Sequence, residues 1–130
     1  MPKKVLIVDD DIDQVTAART ALELAGYEVA AAHSGAEGVA MAMSERPDVI
    51  VLDVTMETMG AGFRAAREIR SDEQLRGVPL IMLTSINERA TGLRYGADEE
   101  WNPVDLFLDK PLAADRLVSE IRKIAPPDGA

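Results

Sequence analysis

Five short runs of aliphatic and β-branched residues punctuate the chain: Lys3–Asp9, Tyr27–Ala32, Val49–Asp53, Leu80–Thr84 and Leu106–Asp109. Several are apolar without the alternation of a half-exposed strand, which predicts strands covered on both faces, as in a parallel sheet. Between them the apolar spacing is helical. Val15, Ala18, Leu22 and Ala25 share one face of a first helix, and Gly26 stands where it would stop. Ser34 and Glu37 form a capping box that opens a second helix toward Glu45, ahead of Pro47. A third carries Ala65 and Ile69 and ends near Gly77 and Pro79; a fourth, around Asn87–Tyr95, is interrupted by Gly92. The last lines Leu117, Ile121 and Ile124 along one face until Pro126-Pro127.

Strand followed by helix, five times over, predicts an α/β fold in which right-handed crossovers place helices on both faces of one parallel sheet. The chain has no internal repeat, low-complexity tract or linker, and only Ala125–Ala130 reads as a disordered tail. In such sheets the functional crevice lies at the carboxyl ends of the strands.

Composition narrows the partners. The 130 residues fit one domain, and 47% apolar with 28% charged residues is the balance of a globular core with a solvated skin. With 14 basic and 23 acidic side chains the formal charge is −9, which disfavours nucleic acid or an anionic membrane and suits a basic partner or a bound cation. Cysteine is absent and His33 is the single histidine, so disulfides, thiolate chemistry and histidine-rich metal sites are excluded. His33 follows the second strand and reads as a loop residue, while the six methionines read as core filler. The apolar run Val5–Val8 is too short for a signal segment, and no stretch approaches the ~20 apolar residues of a membrane span, so the cytoplasm is the expected compartment.

The predicted strands end on chemistry: Asp9-Asp10-Asp11, Asp53, Thr84 and Asp109-Lys110-Pro111. Singly, each residue has a bland role. Asp10 or Asp11 could cap the first helix, Thr84 could be an ordinary strand residue, and Lys110 a solvated charge. Jointly they converge on one sheet edge, where several carboxylates repel unless a cation neutralises them. Oxygen-only ligands without His or Cys point to a hard ion such as Mg²⁺, which takes one or two carboxylates and shares its octahedron with water and phosphate. An aspartate can attack phosphorus to give an aspartyl phosphate, and phosphoryl transfer needs chiefly positioning and positive charge.

The segments Val5-Leu6-Ile7-Val8-Asp9-Asp10-Asp11, Val49-Ile50-Val51-Leu52-Asp53, Ile81-Met82-Leu83-Thr84-Ser85 and Phe107-Leu108-Asp109-Lys110-Pro111 together resemble a response regulator receiver domain, of the single-domain, chemotaxis-regulator-like kind. The similarity runs from about Lys3 to Ile124. It implies a flavodoxin-like, doubly wound five-stranded sheet in the order 2-1-3-4-5 with five helices. The receiver would occupy residues 1–125, leaving 126–130 as a tail and no room for an output domain. By the same resemblance Asp53 is the phospho-acceptor, Asp10 a direct Mg²⁺ ligand, Asp9 a carboxylate acting on the metal through water, and Thr55 a ligand through its backbone carbonyl. Thr84 and Lys110 match the residues that contact the phosphoryl group. Phe107 matches the aromatic switch position coupled to Thr84, and the Lys110–Pro111 bond one that is usually cis. The implied partners are a histidine kinase or histidine phosphotransfer protein, and a downstream protein on the face of the fourth helix, fifth strand and fifth helix.

The sequence departs from the family pattern in two places. Glu57 stands where a proline is usual, with one extra residue before Gly62, and Asp98–Val104, including Trp101, lengthens the interval between Thr84 and Lys110. Trp101 reads as an aromatic plug or a binding anchor, and Ile86 as a position that tunes phosphoryl lifetime. The Glu57 loop is the one feature favouring a degenerate receiver that works by contact without phosphate. Readings from other classes lack residues they need. A Mg²⁺-dependent aspartyl-phosphate phosphatase would carry a second carboxylate where Thr55 stands, and a flavodoxin-like electron carrier would not place Asp9-Asp10-Asp11 against a flavin phosphate.

Overall fold

The computed structural model describes residues 3–53, 61–84, 104–110 and 112–127. Lys4–Val8 (β1), Glu28–Ala32 (β2), Val49–Asp53 (β3), Leu80–Thr84 (β4) and Leu106–Asp109 (β5) form one parallel sheet in the order β2-β1-β3-β4-β5. The described helices are Ile12–Leu24 (α1), Gly35–Glu45 (α2), Ala61–Arg70 (α3) and Ala114–Ile124 (α4). The expected helix around Asn87–Tyr95 lies outside the described residues. None of the described helices is long and apolar enough to cross a membrane.

Helices cover both faces of the sheet, which is why its inner strands β1, β3 and β4 read as unbroken apolar runs. Along β1, Leu6 and Val8 face a core shared with Val39 and Ala42 of α2 and Ala65, Ala66 and Ile69 of α3. Val5 and Ile7 face the opposite core, closed by Val15, Ala18 and Leu22 of α1 and Leu117, Val118 and Ile121 of α4. Of the methionines, Met82 fills the first core and Met41 packs against it, whereas Met43 is exposed, so the filler reading holds for only part of the set.

The boundaries follow local chemistry. Asp11 is the N-cap of α1, its carboxylate accepting the N–H groups of Asp13 and Gln14. Ser34 caps α2 by accepting the Glu37 N–H at 3.1 Å. Gly26, at φ 99°, turns the chain out of α1 in a conformation that suits glycine. Gly38 lets α2 lie on β1, since a Cβ there would stand 2.7 Å from Cγ1 of Val8. The third helix stops at Arg70, well before Gly77. The Arg70 guanidinium explains the early stop, because it donates to the carbonyls of Leu75, Arg76 and Val78 and to Asp105, holding the next residues as turns. Beyond α4 the packing continues, since Ala125 is buried and its carbonyl accepts the Tyr27 hydroxyl at 2.7 Å.

Candidate functional site

The C-terminal edge of the sheet gathers residues that hydrophobic burial alone would not choose. Asp9, Asp53 and Thr84 are the buried polar or charged residues among those described, exposed by 3%, 3% and 0%. Asp53 and Thr84 are the last residues of β3 and β4, and Asp9 directly follows β1. Parallel strands aligned in register bring all three to one edge.

Three consecutive aspartates acquire three roles from the turn between β1 and α1. Asp9 N–H donates to the Ala32 carbonyl at 3.0 Å, while its Oδ1 accepts the Asp11 N–H at 3.0 Å. Asp11 is consumed as the helix cap, and Asp10 is left exposed at the mouth. One carboxylate oxygen from each of Asp9, Asp10 and Asp53 lies within 4.8 Å of the others. Two buried members and one open to water suit a hard cation that keeps part of its hydration. Burial pushes the Asp9 carboxyl up to about 6; the Asp53 charge adds to the rise, while the Asp11 N–H and the Lys110 ammonium oppose it. The rise is chiefly the cost of burying a carboxylate, with the neighbouring Asp53 charge adding to it.

Lys110 supplies some of that charge from the opposite side. It follows β5, and its Nζ stands 2.7 Å from Oδ2 of Asp53. The Lys110 N–H donates to the Thr84 carbonyl at 2.6 Å, which ties the ends of β4 and β5 together. Thr84 is paired in register with Asp109, and its hydroxyl donates to Oδ1 of Asp109 at 3.4 Å. Phe107, on the same face of β5, is half-buried against the core beneath α2 and α3. A cleft of about 400 Å³ opens beside these groups between α1 and α4, with Ile7, Val51 and Leu83 along its floor and Asp9 and Lys110 among its lining. Those two polar residues make it an extension of the same site.

Asp9, Asp10, Asp53 and Lys110 are thus brought together as the sequence suggested, and Thr84 stands at the same edge. Thr55, Glu57, Ser85, Ile86, Trp101 and Pro111 lie outside the described residues. His33 is an exposed residue after β2, as expected. Two roles were not legible. Nothing in three successive aspartates says which one caps the helix, and Asp109 reads as the end of an apolar run until strand register sets it beside Thr84. A buried carboxylate with two further carboxylates on one side and an ammonium on the other is an arrangement with the chemistry to accept a phosphoryl group.

The chain is similar to known proteins in sequence and in fold. The family model described as "Response regulator receiver domain" matches residues 5–122. Response regulator MprA of Mycolicibacterium vanbaalenii is 36% identical, over 100% of this chain and 55% of its own length. The protein of that name from Mycobacterium bovis is 36% identical, over 95% of this chain and 51% of its own. The chain therefore spans about half the length of these relatives. Among solved structures, chemotaxis response regulator CheY4 of Vibrio cholerae superposes with a TM-score of 0.79 at 31% identity, covering 94% of this chain and 98% of that one. A putative response regulator from Chloroflexus aurantiacus gives a TM-score of 0.78 at 27% identity, over 95% of this chain and 98% of that one.

Proposed function

This chain belongs to the response regulator receiver domain family, and on that premise we propose that it is a phosphorylation-activated switch of a two-component system, with Asp53 as the acceptor. The observation that carries the reading is the setting of Asp53, which is buried at the end of β3, 2.7 Å from the Lys110 ammonium and clustered with the carboxylates of Asp9 and Asp10.

The donor is a phosphohistidine of a histidine kinase or phosphotransfer protein, acting in the cytoplasm. A carboxylate oxygen of Asp53 attacks phosphorus as the phosphorus–nitrogen bond breaks. The imidazole leaves with the bonding electron pair and takes one proton from solvent, and an acyl phosphate remains on Asp53. The three-carboxylate cluster suits Mg²⁺; Asp10 and Asp53 would hold it directly, Asp9 would act through water, and the Thr55 carbonyl would be the further ligand that the family resemblance implies. When bound, the ion offsets the repulsion between these carboxylates and the incoming dianionic group. Lys110 turns its ammonium from the Asp53 carboxylate to the phosphoryl oxygens. The Thr84 hydroxyl donates to another of those oxygens, and Phe107 follows it. Output leaves through a surface made by the segment after β4, β5 and α4, which binds a downstream protein. The chain is a switch in this reading, and its own chemistry is limited to accepting the group and releasing it to water.

The test is incubation with a small-molecule phosphodonor and Mg²⁺, followed by intact-mass measurement. A single phosphoryl adduct that is absent from Asp53→Ala supports the switch. Absence of any adduct, with no Mg²⁺ binding by calorimetry, overturns it in favour of a module that works by contact alone.

A further inference from the structure

We propose that Asp109 is a positioning residue that holds the Thr84 hydroxyl in its resting orientation and competes with the phosphoryl group for its one proton. This rests on the reading of Asp53 as the acceptor and adds a residue to it. Thr84 is wholly buried, so its hydroxyl needs an acceptor supplied by the protein or by a group bound at the site. The acceptor at hand is Oδ1 of Asp109, 3.4 Å away on the neighbouring strand. A threonine hydroxyl has a single proton to donate, so it cannot serve Asp109 and a phosphoryl oxygen together.

The backbone cannot resolve that competition by moving the two residues apart. Thr84 and Asp109 are register partners in β4 and β5, and the Lys110 N–H clamps the Thr84 carbonyl at 2.6 Å. What can change is the Thr84 side chain. The two acceptors also differ in what they lose. Asp109 is exposed, so water replaces the hydroxyl when it leaves, whereas a phosphoryl group on buried Asp53 gains a donor where water is scarce. The pair is therefore a two-position element whose balance Asp109 sets. A 3.4 Å contact is long for a hydrogen bond between oxygens, which makes the hold weak enough for phosphorylation to break.

Removing the competitor destabilises the resting orientation and leaves the phosphorylated one intact. With Mg²⁺ present, Asp109→Ala is expected to bind beryllofluoride, a phosphoryl mimic, about threefold to tenfold more tightly than the natural chain, less than a full hydrogen bond to a charged group is worth because the 3.4 Å contact is long and Asp109 is exposed. Its initial rate with acetyl phosphate should rise in the same direction. Asp109→Asn keeps an acceptor oxygen without the charge, and should fall between the natural chain and Asp109→Ala. In a Thr84→Ala background the Asp109→Ala gain should vanish. A full gain persisting without the Thr84 hydroxyl, or equal gains for Asn and Ala, would mean that Asp109 acts only through its charge, and the proposal would be overturned. A metal-free readout stands beside these. Methyl NMR of labelled threonine, with no donor present, should show the Thr84 rotamers redistributing in Asp109→Ala, and an unchanged rotamer overturns the pairing. If the natural chain binds no beryllofluoride, the reading of Asp53 as a phosphoryl acceptor fails, and the NMR arm still decides whether Asp109 holds Thr84.

Discussion

Replacing Asp9 with asparagine removes one of three crowded carboxyl groups while keeping the side chain's shape. The asparagine Oδ1 can still accept the Asp11 N–H that Asp9 accepts at 3.0 Å, so the turn into α1 survives. Asp9 is raised to about 6 from an ordinary 3.8, because folding buries it beside Asp53. The native state therefore binds its proton more tightly than the unfolded chain does. Stability contributed by this group falls as pH rises through the window from about 4 to 6, the reverse of a salt-bridged aspartate. A shift of about two pKa units corresponds to at most about 3 kcal/mol, and screening from the open side of the site, where Asp10 is exposed, reduces that to about 1–2 kcal/mol. Asp9→Asn should accordingly be more stable than the natural chain by about 1–2 kcal/mol at pH 7.5, in the absence of divalent metal. At pH 5 about half of that advantage should remain, since the carboxyl is then largely protonated in the native state and only partly so in the unfolded one. Urea unfolding of both chains at the two pH values, with equal m-values as the check on two-state behaviour, provides the comparison. A variant that is neutral, destabilised, or stabilised equally at both pH values would show that Asp9 is not held against its electrostatic preference.

Three other substitutions test the frame around the site. Gly38→Ala should cost about 1–3 kcal/mol in chemical denaturation, because its methyl would meet Val8 Cγ1 at 2.7 Å, and pairing it with Val8→Ala should give a combined loss smaller than the sum of the two. Tyr27→Phe leaves the buried Ala125 carbonyl without the hydroxyl donor at 2.7 Å, and should lower stability by about 1–2 kcal/mol in the same measurement; an unchanged midpoint would mean that the end of α4 is not fastened there. Arg46 closes α2 at φ 50°, a left-handed conformation that suits glycine, so Arg46→Gly should raise the melting midpoint by the equivalent of about 0.5–1 kcal/mol.

The sheet was legible because its three inner strands, β1, β3 and β4, are buried almost throughout, on both faces. Val49–Asp53, Leu80–Thr84 and Leu106–Asp109 begin and end where the apolar runs do. At β1 and β2 the runs overstate the strands by a residue or two. Asp9 and Tyr27 extend the pattern, yet Tyr27 N–H bonds back to the Leu22 carbonyl in the closing turn of α1. The end of α3 was not legible, since it depends on Arg70 reaching turn carbonyls five to eight residues ahead and Asp105 across 35 positions. The site divides in the same way. Strand ends bring Asp9, Asp53, Thr84 and Lys110 to one edge, so fold class and spacing were enough to group them. The division of labour among Asp9, Asp10 and Asp11 is decided by hydrogen bonds in one turn, and the partnership of Thr84 with Asp109 by strand register, neither of which residue spacing encodes.

The central claim is that Asp53, and no neighbouring carboxylate, carries the phosphoryl group. Reductive trapping reads this directly, because borohydride converts an aspartyl phosphate to homoserine and peptide mapping then locates it. After treatment with acetyl phosphate and Mg²⁺, homoserine is expected at position 53 alone, and only when the donor is present. Homoserine at position 9 or 10, or no conversion in a chain that binds Mg²⁺, would contradict the account.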